Sequence, residues 1–141
     1  MSTLSTANIQ SKAANTPPVI KDLNGAEIGQ TVRAWLNYTQ RDNNIRDSFN
    51  VASVTDHSTG LFTITFAKPM PNANYAFAGT ASHVSPSGTT TAIFTVELPD
   101  GANISSAMTT SSLQIEVNYV TATANRSVTD RELVSVIVFG G

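Results

Sequence analysis

The residues with the strongest potential for chemistry are the two histidines, His57 and His83. Asp56, His57 and Ser58 are consecutive and supply the three residue types of a serine-hydrolase triad. Consecutive residues of a strand or turn do not face one another, however, and no G-x-S-x-G nucleophile motif is present. We therefore interpret His57 as a polar residue of a turn over residues 56–60, and His83 as a residue at the rim of the fold.

The sequence also lacks the spacing of a metal site. It has no cysteine, and no second histidine or carboxylate stands at ligand spacing from His83. Asp42, Asp47, Asp56 and Asp100 fall in turns or at strand starts, where bonding to the backbone is the ordinary role of aspartate. A chance carboxylate pair of the glycosidase type is the enzymatic alternative. Since no phosphate-binding loop or other catalytic motif is present, we predict a non-enzymatic protein without metal or cofactor.

The charge of the chain argues against two classes of partner. Its 8 Lys and Arg residues and 10 Asp and Glu residues give a net charge of −2, and no basic run occurs. The sequence therefore predicts no binding to nucleic acid or to an anionic membrane surface. The longest apolar stretch, Val136–Phe139, is far shorter than the roughly 20 residues of a membrane span, and residues 1–16 do not resemble a secretion signal.

The arginines and the single tryptophan are expected to support the fold. We expect the arginines to pair with nearby acidic residues such as Asp47, Asp130 and Glu132; they are Arg33, Arg41, Arg46, Arg126 and Arg131. Arg46 is the best candidate for partial burial because it lies between Ile45 and Phe49. Trp35, between Ala34 and Leu36, is interpreted as a core residue, with an exposed sugar-stacking tryptophan as the alternative.

The elements that position these residues follow a period of two. Alternation predicts that one apolar set points inward, namely Phe62, Ile64, Phe66, Ala92, Phe94, Val96, Leu98, Leu113, Ile115, Val117 and Tyr119, and that Gln114, Glu116 and Asn118 point outward. Clusters of Gly, Pro, Asn and Asp separate the alternating segments. We predict strands near 32–38, 45–54, 61–67, 74–83, 90–98, 112–121 and 132–139, and no helix. This pattern indicates an all-β fold, an antiparallel β-sandwich of jelly-roll-like type.

Residues 1–30 differ from the β-sandwich domain predicted over 31–141. Their apolar and proline residues are too widely spaced for a helix or a core, and two prolines favour an extended arm with a turn near Asn24-Gly25. Such a segment must be covered by a neighbour or stay unfolded. We predict an attachment arm that contacts its partner through Leu4, Ile9, Pro17, Pro18, Val19 and Ile20.

The last predicted strand loses the alternation. Both of its parities are apolar between residues 133 and 139, so both of its faces need a cover. The strand lies either at the centre of the sandwich or at a subunit interface. We predict that the interface residues are Leu133, Val134, Val136, Val138 and Phe139.

Part of the chain resembles a module of virion structural proteins and tail fibres of tailed phages, especially phages of aquatic bacteria. The resemblance is carried by the segments Val32–Tyr38, Ile45–Asp56, Thr59–Phe66 and Met70–Tyr75. The module reads approximately AWVNF…IRxSxNVSSxTDxGTGxYTVxFxxxMPxANY. This chain departs from it with Leu36, with Tyr38 and with Asp56-His57, and the region 32–75 that holds the matching segments spans about a third of the 141 residues.

The resemblance implies a non-enzymatic component of the virion, often a homotrimer, and it brings no catalytic residues. In one assignment the protein decorates or cements the head, and its arm lies on the major capsid protein. In the alternative it is a short tail fibre or fibre tip, its arm binds tail proteins, and loops 82–91 or 100–112 contact a host surface glycan. The length of the chain and the lack of a coiled-coil or β-helix shaft favour the head.

Overall fold

The structure, a computed structural model, describes residues 20–29, 31–82, 93–120 and 126–140. The chain divides into two compact units, Met1–Thr31 and Val32–Gly141. Almost all regular structure in the described residues is β, and the larger unit consists of antiparallel sheets packed on a common apolar core. The predicted antiparallel β-sandwich is therefore confirmed.

The described part of the first unit is a short hairpin. Strands β1 (Ile20–Lys21) and β2 (Glu27–Gly29) pair antiparallel across a turn. The Asp22 carboxylate accepts hydrogen bonds from the backbone N–H groups of Asn24 and Ala26, each at 2.8 Å, and Gly25 has φ +83°. The predicted turn at Asn24-Gly25 is confirmed, because aspartate side-chain bonding and a glycine with positive φ both favour a turn.

The second unit contains two sheets, which we call sheet I and sheet II. Sheet I has the order β4-β3-β11-β7, formed by β3 (Val32–Thr39), β4 (Asn44–Phe49), β7 (Ala76–Ser82) and β11 (Leu133–Phe139). Sheet II contains β5 (Val51–Ser58), β6 (Leu61–Phe66), β8 (Ile93–Glu97), β9 (Ser112–Val120) and β10 (Arg126–Val128). In sheet II, β9 pairs with β6, β8 and β10, and β5 pairs with β6.

The two sheets approach each other closely at both sides. At one side the predicted strand 45–54 is two strands, because Asn50 has φ 56° and turns the chain from β4 in sheet I to β5 in sheet II. Its side chain holds this corner through hydrogen bonds to the backbone of Arg33 and Lys68. At the other side, a Cβ on Gly79 of β7 would lie 2.5 Å from Cγ1 of Val96 in β8. Glycine is therefore required where these two strands meet.

The core lies between the sheets and follows the predicted alternation. Of the residues predicted to point inward, Phe62, Ile64 and Phe66 in β6 are at most 4 % exposed, and Leu113, Ile115 and Val117 in β9 are fully buried. Sheet I contributes Ala34, Leu36, Tyr38, Val134, Val136 and Val138. Val96 and Leu98 pack at the edge of this cluster, and Ala92 lies outside the described residues.

Two positions of β9 depart from the predicted alternation. Asn118, predicted to point outward, is 1 % exposed because its amide donates to the carboxylates of Glu97 and Glu116. Tyr119, predicted in the core, is half-buried, and its ring centroid is 6.4 Å from that of Phe94. A side chain of this strand can therefore be buried by polar neighbours on the outer face as well as by the apolar core.

Two short elements of the second unit are absent from the sequence-based prediction. Helix α1 (Ile104–Ala107) has one turn and begins at Asn103, whose side chain accepts a hydrogen bond from the N–H of Ser105 at 3.0 Å. Strand β10 has three residues. Neither element is long enough to produce a periodic pattern.

Candidate functional site

The residues Asp56, His57 and Ser58 do not form a triad. They belong to β5 and not to the predicted turn, which is reduced to Thr59-Gly60. The register shifts between Asp56 and Ser58, so His57 is the extra residue of a β-bulge. Its Nε2 lies 2.9 Å from Oγ1 of Thr63 in the neighbouring strand. His83, the other candidate, lies outside the described residues.

The acidic residues named in the sequence analysis bond mainly to the backbone or to arginine. Asp47 accepts a hydrogen bond from the N–H of Ser48, and Asp130 accepts one from the N–H of Gly60. Arg126 contacts the carboxylates of Glu97 and Glu116 on sheet II and that of Asp100 in the turn after β8. Within the described ranges, no group of three or more His, Asp or Glu residues is arranged to hold a metal ion.

Among the remaining arginines, Arg46 differs from the prediction and Arg131 contacts an aromatic ring. Arg46 is exposed and not partly buried, because Tyr38 pairs with Ile45 and Asn37 with Asp47, which leaves Arg46 as a bulge residue. The guanidinium of Arg131 lies 4.1 Å from the centroid of the Phe94 ring. Arg41 does form a predicted pair, at 3.3 Å from Glu132, and this pair is exposed.

The last strand, β11, lies between β3 and β7 in sheet I. Val134, Val136 and Val138 are at most 3 % exposed and belong to the core of their own unit. They therefore do not lie on a surface that a sister subunit could cover. Leu133 and Phe139 have the opposite parity and lie on the outer face, where Phe139 is 37 % exposed.

An apolar row crosses the outer face of sheet I. The register places Trp35 beside Phe49 in β4 and beside Ile137 in β11, and it places Ile137 beside Ala78 in β7. Residues paired in this way project from the same face of a sheet. Phe49 is 54 % exposed, and Trp35 and Ile137 are half-buried.

A polar row lies next to the apolar row. Asn37 pairs with Asp47 in β4 and with Ser135 in β11, and Ser135 pairs with Thr80 in β7. The two rows are two residues apart along each strand, so their side chains share one face. We call these eight residues the Trp35 surface: Phe49, Trp35, Ile137, Ala78, Asp47, Asn37, Ser135 and Thr80.

The Trp35 surface contains an open groove of about 460 Å³, with residues of β3, β7 and β11 along its walls. The expectation that Trp35 is a core residue is wrong, because Ala34, Leu36 and Tyr38 take the inward positions of β3. Its neighbour in the polar row, Asn37, has a buried Oδ1 atom that finds no hydrogen-bond partner among the residues that the structure describes. The groove thus combines an aromatic side chain with an amide oxygen that no described residue pairs.

The sequence pattern does not indicate that a common surface unites Phe49, Ile137, Ser135 and Thr80. The loss of alternation between residues 133 and 139 is the one local pattern that indicates such a surface, because it places apolar side chains on the outer face of the strand. The register between strands, which decides which side chains are neighbours, is not visible in a local pattern. Of the residues predicted to form the attachment arm, Ile20 is 52 % exposed in β1, and the others lie outside the described residues: Leu4, Ile9, Pro17, Pro18 and Val19.

In the part of the chain that the structure describes, none of the helices has the length and apolar character needed to cross a membrane. No protein-family model matches the chain, and no curated protein or solved structure is significantly similar to it.

Proposed function

We propose that this protein is a structural subunit of a tailed-phage virion that binds a host surface glycan through the Trp35 surface, as part of a short tail fibre or fibre tip. The observation that carries the proposal is Trp35 itself. Its ring lines an open groove, while the core of the sandwich is completed by other residues. The resemblance of the segments between Val32 and Tyr75 to phage structural modules supports a role in the virion.

The two rows match the chemistry of a sugar. A pyranose ring has C–H groups that pack on an aromatic face and hydroxyl groups that donate and accept hydrogen bonds. Trp35 and Ile137 offer the apolar contact, and Asn37, Ser135 and Thr80 offer polar groups beside it. Ligand sites commonly combine an apolar wall with a few polar groups that fix orientation.

The N-terminal segment and a trimeric assembly complete the proposal. We propose that residues 1–30 attach the subunit to proteins of the particle. A homotrimer carries three copies of an open groove, and linked copies bind a multivalent surface far more tightly than one copy does. A shallow groove is therefore sufficient for attachment to a glycan-covered cell.

The expected result for Trp35→Ala is a loss of glycan binding with the fold retained. We expect at least a tenfold loss, since stacking on the ring is removed. The cost in stability should stay below the roughly 3 kcal/mol that truncation of a fully buried tryptophan causes, because this side chain is only partly buried. Binding is measured on immobilised neutral oligosaccharides of glucose, galactose and mannose, and stability by urea unfolding.

His57→Ala is the matched control for this substitution, because it truncates an exposed ring on sheet II. It should leave both binding and stability unchanged. The proposal fails if the wild-type trimer binds none of these sugars, or if Trp35→Ala binds them as the wild type does.

A second candidate function is supported by the exposed aromatic residues on the same face. Phe49 is 54 % exposed and Phe139 is 37 % exposed. Large exposed apolar areas commonly mark contacts between proteins. In this candidate the protein is a head decoration protein, its arm binds the major capsid protein, and sister subunits cover Leu133, Phe139 and the Trp35 surface.

The mass of the full-length protein and of one variant separates these candidates. Light scattering should give three times 14.9 kDa for the wild type under both. If the Trp35 surface binds glycan, Phe49→Asp leaves the trimer intact, since that side chain faces solvent. If sister subunits cover this face, the same charge dissociates the trimer, because it would be buried without a partner. A monomeric wild type at micromolar concentration contradicts the trimer in both candidates.

A further inference from the structure

We propose that Asn37 is the specificity-determining residue of the Trp35 surface, and that the ligand it selects is a neutral glycan with adjacent free hydroxyl groups. This inference rests on the proposed function, in which the surface binds a glycan. It adds the class of sugar and the residue that selects it.

The position of Asn37 brings its amide next to a stacked ligand. Asn37 follows Trp35 by two residues in β3, so the two side chains stand on the same face about 7 Å apart along the strand. Both line the groove. A ring that stacks on Trp35 therefore presents its edge to Asn37.

The amide of Asn37 is not used by the described part of the fold. Its Oδ1 is buried and has no partner, and no side-chain hydrogen bond joins Asn37 to another described residue. A buried polar group without a partner destabilises the folded state. This cost favours a rotation of the side chain toward the groove, which Oδ1 needs before it can accept a hydrogen bond from a ligand. By contrast, the Asn50 amide makes three hydrogen bonds to backbone groups at its corner.

The donor and acceptor pattern of an amide fits two adjacent hydroxyl groups. The –NH₂ end donates and the carbonyl end accepts. A hydroxyl group does both, so a pair of neighbouring hydroxyls can satisfy both ends of the amide after a rotation of the terminal group. A sulfate or a carboxylate on a sugar only accepts, and it would leave Oδ1 without a donor.

Charge at the same place acts against anionic sugars. Asp47 is paired with Asn37 across β3 and β4, and it is the one ionisable residue among the eight of the Trp35 surface. Its carboxylate is exposed, so the repulsion is screened by salt but still unfavourable to a negative ligand. The amide and the carboxylate together favour a neutral glycan.

The test compares Asn37→Leu with Trp35→Ala in the full-length protein. Leucine has nearly the size of asparagine and no polar atoms, so the urea midpoint of Asn37→Leu should equal or exceed that of the wild type. Binding to immobilised neutral oligosaccharides of glucose, galactose and mannose should fall at least tenfold. A residue with a merely structural role would lower the midpoint, and binding would fall only with it.

A second variant tests the charge selection. Asp47→Asn should increase binding to the same sugars carrying sulfate or carboxylate groups at least threefold, with little change for the neutral ones.

The outcomes separate this inference from the proposed function. If Trp35→Ala loses binding and Asn37→Leu does not, the assignment of Asn37 is overturned while the proposed function stands. If the wild type prefers the anionic sugars, the neutral class is overturned. If no sugar binds and Phe49→Asp dissociates the trimer, a second copy of the chain occupies this surface, and both proposals fall.

Discussion

Val136→Asp is expected to unfold the β-sandwich. Val136 is 3 % exposed in the central part of sheet I, where the register places it between Leu36 and Gly79. A carboxylate at this position would be buried among apolar side chains without a partner. Burial of an unpaired charge costs several kcal/mol, which is comparable with the roughly 5–15 kcal/mol that stabilise a domain. Far-ultraviolet circular dichroism and urea unfolding of the purified variant measure the effect.

Ile137→Asp is the matched control, since it introduces the same charge one residue further along β11. Ile137 lines the open groove on the outer face, so a carboxylate there reaches water. This variant should fold, with a loss of stability below about 2 kcal/mol, in the range of ordinary surface or partly buried substitutions. If Val136→Asp instead yields a folded protein of smaller mass, the inward parity of β11 is a subunit contact and the description of the core is wrong.

Alternation made the sandwich predictable because each face of a strand meets one environment. Phe62, Ile64 and Phe66 are separated by threonines, and all three are buried as that pattern indicates. The corner at Asn50 was not predictable in the same way. The apolar pattern continues through Val51, while the change of sheet depends on the φ of one asparagine and on its bonds to distant backbone groups.

The candidate site was harder to predict than the fold, and Trp35 is the reason. Its residue type favours the core, and a single strand does not reveal which of its two parities points inward. The inward positions of β3 are taken by residues of the other parity, Ala34, Leu36 and Tyr38. They are buried because they pair with the inward residues of β11, Val138, Val136 and Val134. The identity of the neighbours of Trp35 in turn depends on the pairing of four strands distant in sequence.

Two buried tyrosines predict that the folded state loses stability at alkaline pH. Tyr38 is fully buried, and its hydroxyl donates to Oδ1 of Asn43 at 2.8 Å. Tyr75 is 4 % exposed, and its hydroxyl donates to the carbonyl oxygen of Ser112 at 2.9 Å. Burial disfavours the phenolate and raises the pKa of each to about 12. For Tyr38 the nearby charges of Asp56 and Asp130 act in the same direction.

The sign of the effect follows from proton binding in the two states. An unfolded tyrosine has a pKa of about 10. Below about pH 9 both states keep the proton, and stability is independent of these groups. Between pH 10 and 12 the unfolded chain loses protons that the folded protein retains, so stability falls by up to about 1.4 kcal/mol per pH unit for each tyrosine.

We expect a loss of about 4–5 kcal/mol in the free energy of unfolding between pH 9 and pH 12, shared by the two residues. Urea midpoints at intermediate pH values measure it, and the absorbance of tyrosinate should rise together with unfolding. Tyr75→Phe removes one titrating group and should roughly halve the pH dependence, although its stability at neutral pH will fall as the carbonyl of Ser112 loses a donor. A urea midpoint that stays constant from pH 10 to pH 12 would contradict the burial of both hydroxyl groups, because a phenol in contact with water ionises in the folded state as readily as in the unfolded one.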